Sequence, residues 1–148
     1  MKKILFLLTV AAALCAPISH AQAVSPYREI GGSTLNISAT STNTTMAATN
    51  LAVIEATRAL DIAIQPSFKL TGSGTSPVVL KFDTSIDNSN WTVASQSITI
   101  TAAGTATVSK AQNFTLGAVT YMRLSQVENP NASAITNLTI RYVQKRVQ

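Results

Sequence analysis

The stretch ALDIAIQPSFKLTGSGTSPVVLKFD (residues 59–83) decides the fold class. Leu60, Ile62, Ile64, Phe68 and Leu70 share one parity, while Asp61, Gln65 and Lys69 take the other. Val78, Leu80 and Phe82 then face one way, with Lys81 and Asp83 facing the other. Successive side chains of a strand point to opposite faces, so each segment offers one face to a core and one to solvent. Between them, Gly72-Ser73-Gly74-Thr75-Ser76-Pro77 sustains neither pattern and reads as a flexible hairpin tip. It lacks the Gly-Lys-Ser/Thr ending of a phosphate loop and precedes a strand rather than a helix. Pro66 removes an N–H donor within the first segment, which predicts an edge position or a bulge there.

The same period recurs outward from this stretch. Ile98 and Ile100 alternate with Thr99 and Thr101, Met122 and Leu124 with Tyr121, Arg123 and Ser125, and Leu138, Ile140 and Tyr142 with Thr139 and Arg141. Turn-forming residues separate these runs at Ala103-Gly104-Thr105, Leu116-Gly117-Ala118 and Glu128-Asn129-Pro130-Asn131. Strands are expected near 34–39, 50–55, 59–71, 77–84, 91–102 (broken into two), 105–115, 119–127 and 135–145. A short helix over Thr45 to Leu60 competes with the strand at 50–55. The fold expected is all-β, an antiparallel two-sheet β-sandwich with jelly-roll wiring as one version of it, over residues 34–148. Residues 24–33 are expected to form an extended N-terminal arm.

Residues 1–23 carry a different signature. Lys2 and Lys3 precede an apolar run from Ile4 to Leu14, Pro17 breaks it, and Ala21-Gln22-Ala23 offers a small-x-small cleavage pattern. This is a bacterial-type signal peptide, with cleavage expected after Ala23. The run is too short for a stable membrane span, which takes about 20 apolar residues. Cys15 follows the bulky Leu14, which fits a lipid-attachment pattern poorly. The expected location is exported: periplasmic, extracellular or at the cell surface.

Of the 148 residues, the only Cys and the only His (Cys15 and His20) lie in that segment. Residues 24–148 therefore offer no Cys nucleophile, Ser-His-Asp triad, disulfide, or Cys or His metal ligand. Nine Lys and Arg stand against six Asp and Glu in residues 24–148. Thr, Ser and Asn make up about a third of the same residues, a composition of strands with hydroxyl-rich outer faces. Arg123, Arg141, Lys145 and Arg146 would form a basic patch if the last two strands pair, but the modest net charge suits solubility better than nucleic-acid binding.

The segment Phe82-Asp83-Thr84-Ser85-Ile86-Asp87-Asn88-Ser89-Asn90-Trp91 holds two of the six carboxylates and the only Trp. Three readings compete for it. Asp, Asn and Ser bond to nearby backbone and cap a turn, with Trp91 opening the next strand and packing on the core. Alternatively, Asp83, Ser85, Asp87 and Asn88 are oxygen ligands for Ca²⁺, although the Gly and Glu of an EF-hand loop are missing. Finally, Asp83 and Asp87 are an acid–base pair of the glycosidase kind. Turn chemistry accounts for every residue type present. The candidate ligand-binding residues are Asp87, Asn88, Asn90 and Trp91, and the candidate Ca²⁺ ligands are Asp83, Ser85 and Asp87.

The order of features from Leu60 to Val143 resembles a known group. An alternating strand leads through a Gly/Ser loop to Val78-Val79-Leu80-Lys81-Phe82, then to Ser85-x-Asp87 and Trp91. A Thr-rich hairpin, Tyr121-Met122-Arg123-Leu124 and an Asn129-containing loop follow before the last strand. This is similar to small β-sandwich proteins of tailed phages and prophages, the capsid-decorating or fibre-associated kind. The resemblance implies a structural or adhesive module without catalysis, whose partners are itself or other surface or virion proteins. The signal peptide sets the chain apart from virion proteins assembled in the cytoplasm and suits a host-encoded exported relative. The function expected is a non-enzymatic, self-assembling surface module without a cofactor. The alternative is a secreted carbohydrate-binding module that uses Trp91 and the Asp83–Asn90 loop, since sugar faces stack on aromatics while amides and carboxylates bond hydroxyls.

Overall fold

The computed structural model describes residues 22–24, 28–43 and 53–147. The expected signal peptide, apart from Gln22 and Ala23, lies outside them, as does most of the segment where a helix competed with a strand. The described residues form eleven strands and no helix. Two antiparallel sheets pack face to face as a β-sandwich. Sheet A places β11 (Ile135–Val147) beside β5 (Ala59–Leu70). Short strands β8 (Val108–Ser109) and β9 (Gln112–Thr115) line the far side of β5, while β1 (Gln22–Val24) and β2 (Arg28–Ile37) line the far side of β11. Sheet B runs from β3 (Ser41–Asn43) and β4 (Val53–Glu55) through β10 (Tyr121–Asn129) and β6 (Pro77–Ser85) to β7 (Thr92–Thr101). Of the expected arm, Val24 in β1 and residues 28–33 in β2 join a sheet, because both strands pair with β11.

The core lies where the inward parities of the two sheets meet. Ile62, Ile64, Phe68, Leu70, Ile135 and Ile140 come from sheet A, and Ile54, Val78, Leu80, Phe82, Ile98, Met122 and Leu124 from sheet B, all buried. Each fully buried side chain of this size contributes about 1.5–3 kcal/mol. Phe82 and Phe114 meet across the two layers with ring centroids 6.4 Å apart and a 53° tilt, an edge-to-face style of packing that adds to area burial.

Several sequence expectations change. The Gly72–Pro77 segment is not a hairpin tip, since β5 and β6 lie in different sheets and the loop crosses between them. The Thr-rich connection after β7 likewise crosses between sheets rather than forming a hairpin. Residues 92–101 make one strand rather than two, whereas the expected strand at 105–115 divides into β8 and β9. Leu60 is 40% exposed rather than inward, because the β5–β11 register slips between Lys145 and Arg146 and such a slip changes the face. Pro66 sits inside a strand with neighbours on both sides. Its carbonyl accepts from the Lys110 N–H at 3.3 Å. A strand residue aims its N and C=O to the same side, so the missing donor of Pro66 faces the break between β8 and β9.

One end of the sandwich is closed by amides. Asn131, buried, donates from Nδ2 to Ser76 O (3.1 Å) and accepts at Oδ1 from Ser76 N (2.9 Å). Asn129, also buried, donates to Ser38 O (3.0 Å) and Ser133 O (2.9 Å). Gly74 stands against this pair, where a Cβ would meet Asn131 Oδ1 at 2.7 Å and Leu70 Cδ1 at 2.6 Å. The loop therefore needs glycine for close approach, not for flexibility.

Candidate functional site

Strand β6 runs from the amide-closed end to the opposite one, where the 82–91 segment turns into β7. Outward parity puts Asp83 on the exterior of sheet B, directly opposite Arg123 of β10. Asp83 Oδ2 accepts from Arg123 Nε (3.2 Å) and Nη2 (3.1 Å), and Oδ1 accepts from the Ala94 N–H (2.9 Å). Ala94 takes a φ of 49° at a register shift between β6 and β7, so the carboxylate fills the gap that this bulge opens in the ladder. The indole of Trp91 covers the pair from outside, with Arg123 Cζ 4.0 Å from its ring centroid. A guanidinium stacked on an aromatic face and forked onto a carboxylate is held on two sides. Asp83 is only 2% exposed as a result. Trp91 therefore does not pack on the core, as the turn reading expected, but roofs an ion pair on the outer face.

Asp87 is engaged separately. Its Oδ1 accepts from Asn90 N (2.8 Å), Ser89 N (2.9 Å) and Ser85 Oγ (3.0 Å), and its Oδ2 from Asn90 Nδ2 (2.7 Å). Four donors stabilise the charged form, the Asn90 and Ser89 backbone N–H groups most, and hold the carboxyl well below the usual carboxylate range. Asn88 takes the left-handed conformation (φ 58°) that such a turn requires and that Asn tolerates.

The candidate residues thus divide. Asp87, Asn88 and Asn90 are exposed in one loop, Trp91 is half-buried beside Arg123, and Ser85 is buried and donates to Asp87. The candidate Ca²⁺ ligands Asp83, Ser85 and Asp87 serve different donors, and a cation at Asp83 would meet a guanidinium 3.1 Å from the same oxygen. Among the described residues no group of three or more His, Cys, Asp or Glu converges. A glycosidase acid needs a raised pKa, whereas that of Asp87 is lowered. The basic patch does not form as one surface, because β10 and β11 do not pair: Arg123 lies on sheet B, while Arg141, Lys145 and Arg146 lie on sheet A. Reading the sequence alone misses Arg123 as the partner of Asp83 and Trp91. The only signal for it is its outward parity on a strand.

No protein-family model matches the chain, and no curated protein matches it. Among solved structures it is similar to a protein of Bacillus endospore appendages, described as disulfide-linked pili, at 15% identity and a TM-score of 0.40, over 90% of this chain and 96% of that one. It is similar to the PBSX exported protein XepA at 13% identity and a TM-score of 0.45, covering 83% of this chain but only 37% of that one. It is also similar to a CBM4 protein at 16% identity and a TM-score of 0.41, over 89% of this chain and 81% of that one. Phage and prophage proteins and spore appendages are thus among the structures it is similar to, at low identity.

Proposed function

We propose that this chain is an exported, non-enzymatic β-sandwich module that builds surface structure by associating with itself or with other surface proteins. One observation carries the reading. The segment richest in candidate chemistry spends its carboxylates on its own architecture, with Asp83 under Arg123 and Trp91 and Asp87 closing the turn. What remains to present to a partner is the two hydroxyl-rich sheet faces and their edges. The test is light scattering on residues 24–148 across a concentration series. Native mass should rise above that of one chain, and a single-chain mass at every concentration overturns the reading.

A second reading is favoured by one feature, the placement of Trp91 on the outer face of sheet B rather than in the core. Tyr121 has the same outward parity two residues from Arg123, and aromatic rings on an outer face suit sugar stacking. Titration of the single Trp with soluble glycans, read by its fluorescence, decides this. No change with any glycan removes it.

A further inference from the structure

Among the described residues, strand β7 is the outer strand of sheet B, and β6 is its neighbour in the sheet. The direction of its backbone groups follows from one hydrogen bond. Ser125 Oγ of β10 donates to Lys81 O at 3.2 Å, so Lys81 addresses β10. Successive strand residues alternate sides, so Leu80 and Val78 address β7, through Ile98 and Ile100 directly opposite them. Ser97 and Thr99 therefore turn their N–H and C=O groups toward the free edge. Those two carbonyls are capped. Gln112 Nε2 donates to Ser97 O at 3.1 Å, and Lys110 Nζ donates to Thr99 O at 3.0 Å. Both side chains come from the opposite layer, at and beside the break between β8 and β9 that faces Pro66. Towards its start, β7 is bent by the bulge at Ala94, whose N–H is taken by Asp83.

We infer that the β7 edge is guarded against strand addition by Lys110 and Gln112. An incoming strand needs the carbonyls that these side chains occupy, and it would have to displace or bury an ammonium group to reach them. Bulges and lysines are the usual means by which a sheet edge is blunted, and here they follow one another along a single strand. Strand pairing with a second copy is thereby directed away from β7 to the remaining edges, β3 and β4 in the same sheet and β1, β2, β8 and β9 in the other. That direction rests on the self-association reading, whereas the guard itself does not.

The experiment compares the wild-type chain with Lys110→Ala/Gln112→Ala by light scattering across concentration. The double variant should reach about twice the wild-type native mass or more at the top of the series. Adding Thr99→Pro deletes an outward N–H and should return the mass to that of the wild type. A folded double variant with wild-type mass at every concentration overturns the inference, as does a gain that survives Thr99→Pro. Thr99→Pro alone provides a second arm: it should leave the wild-type mass unchanged, and a fall would mean that β7 is itself the pairing edge. A wild type that stays a single chain overturns the proposed function but leaves this test standing, because the test reads differences between variants.

Discussion

Asp87 and Asp83 are both aspartates on one ten-residue segment, yet they do different work. Asp87 is exposed and closes a turn through backbone N–H groups. Its folded pKa is depressed, so the stability it adds is present above the unfolded carboxylate pKa of about 3.9 and is lost as pH falls through the lower folded value. Asp87→Asn should therefore lower the melting temperature at pH 7 and approach the wild type in strong acid. Melting curves from pH 7 to pH 2 check this, and a gap that does not narrow with acid contradicts it. Asp83 depends on Arg123 instead. Arg123→Ala leaves a buried carboxylate with only the Ala94 N–H and removes the cover of Trp91. A loss of about 2–4 kcal/mol is expected, towards the lower side of buried-pair deletions because the guanidinium is partly exposed. Denaturant unfolding measures it, and Trp91 fluorescence should shift in the same variant.

At the scale of elements, the connections hold the fold as firmly as the strands. Asn129 and Asn131 bind the backbones of Ser38, Thr40, Ser76 and Ser133 at one end of the sandwich. Buried amides with their hydrogen bonds made fix a loop, and deletion of one leaves its backbone partners unsatisfied. Asn131→Ala should cost about 2–4 kcal/mol of unfolding free energy while leaving the far-UV spectrum unchanged. A change below about 0.5 kcal/mol, the size of an ordinary surface substitution, would show that water replaces the amide. Pro66 has a similar reach. Its absent N–H faces the break between β8 and β9, and Lys110, one of the two residues that cap the β7 edge, sits in that break. A residue that reads as a local breaker therefore bears on how a distant strand in the other sheet is finished.

For the whole molecule, native mass is the observable that separates a building module from a binding one, and the state of its edges decides how mass changes. Two stacked open sheets have four edges, and in this chain the β7 edge carries a bulge, a glutamine and a lysine in succession. The strand population was legible from the parity of Ile62, Ile64, Val78, Leu80, Phe82, Ile98, Met122 and Ile140, all buried in the core. That signal is local, since a period of two needs only neighbouring residues. Leu60 escaped it because it is the residue passed over where the β5–β11 register slips, and that pairing is invisible from its own segment.

The sequence by itself therefore determined the all-β class, the two-faced strands, the turn chemistry of Asp87 and the poverty of catalytic side chains in residues 24–148. Only the tertiary structure decided which strand joins which sheet, turning the Gly72–Pro77 segment and the connection after β7 from hairpins into crossings between layers. It alone brought Arg123 to Asp83, 40 residues away, and to Trp91, and carried Lys110 and Gln112 from one sheet to the carbonyls of the other. The reason is physical. Periodicity and turn propensity are short-range properties of a chain. Pairing across sheets depends on how two apolar faces close over one core, and that closure is satisfied by all residues together rather than by any segment alone.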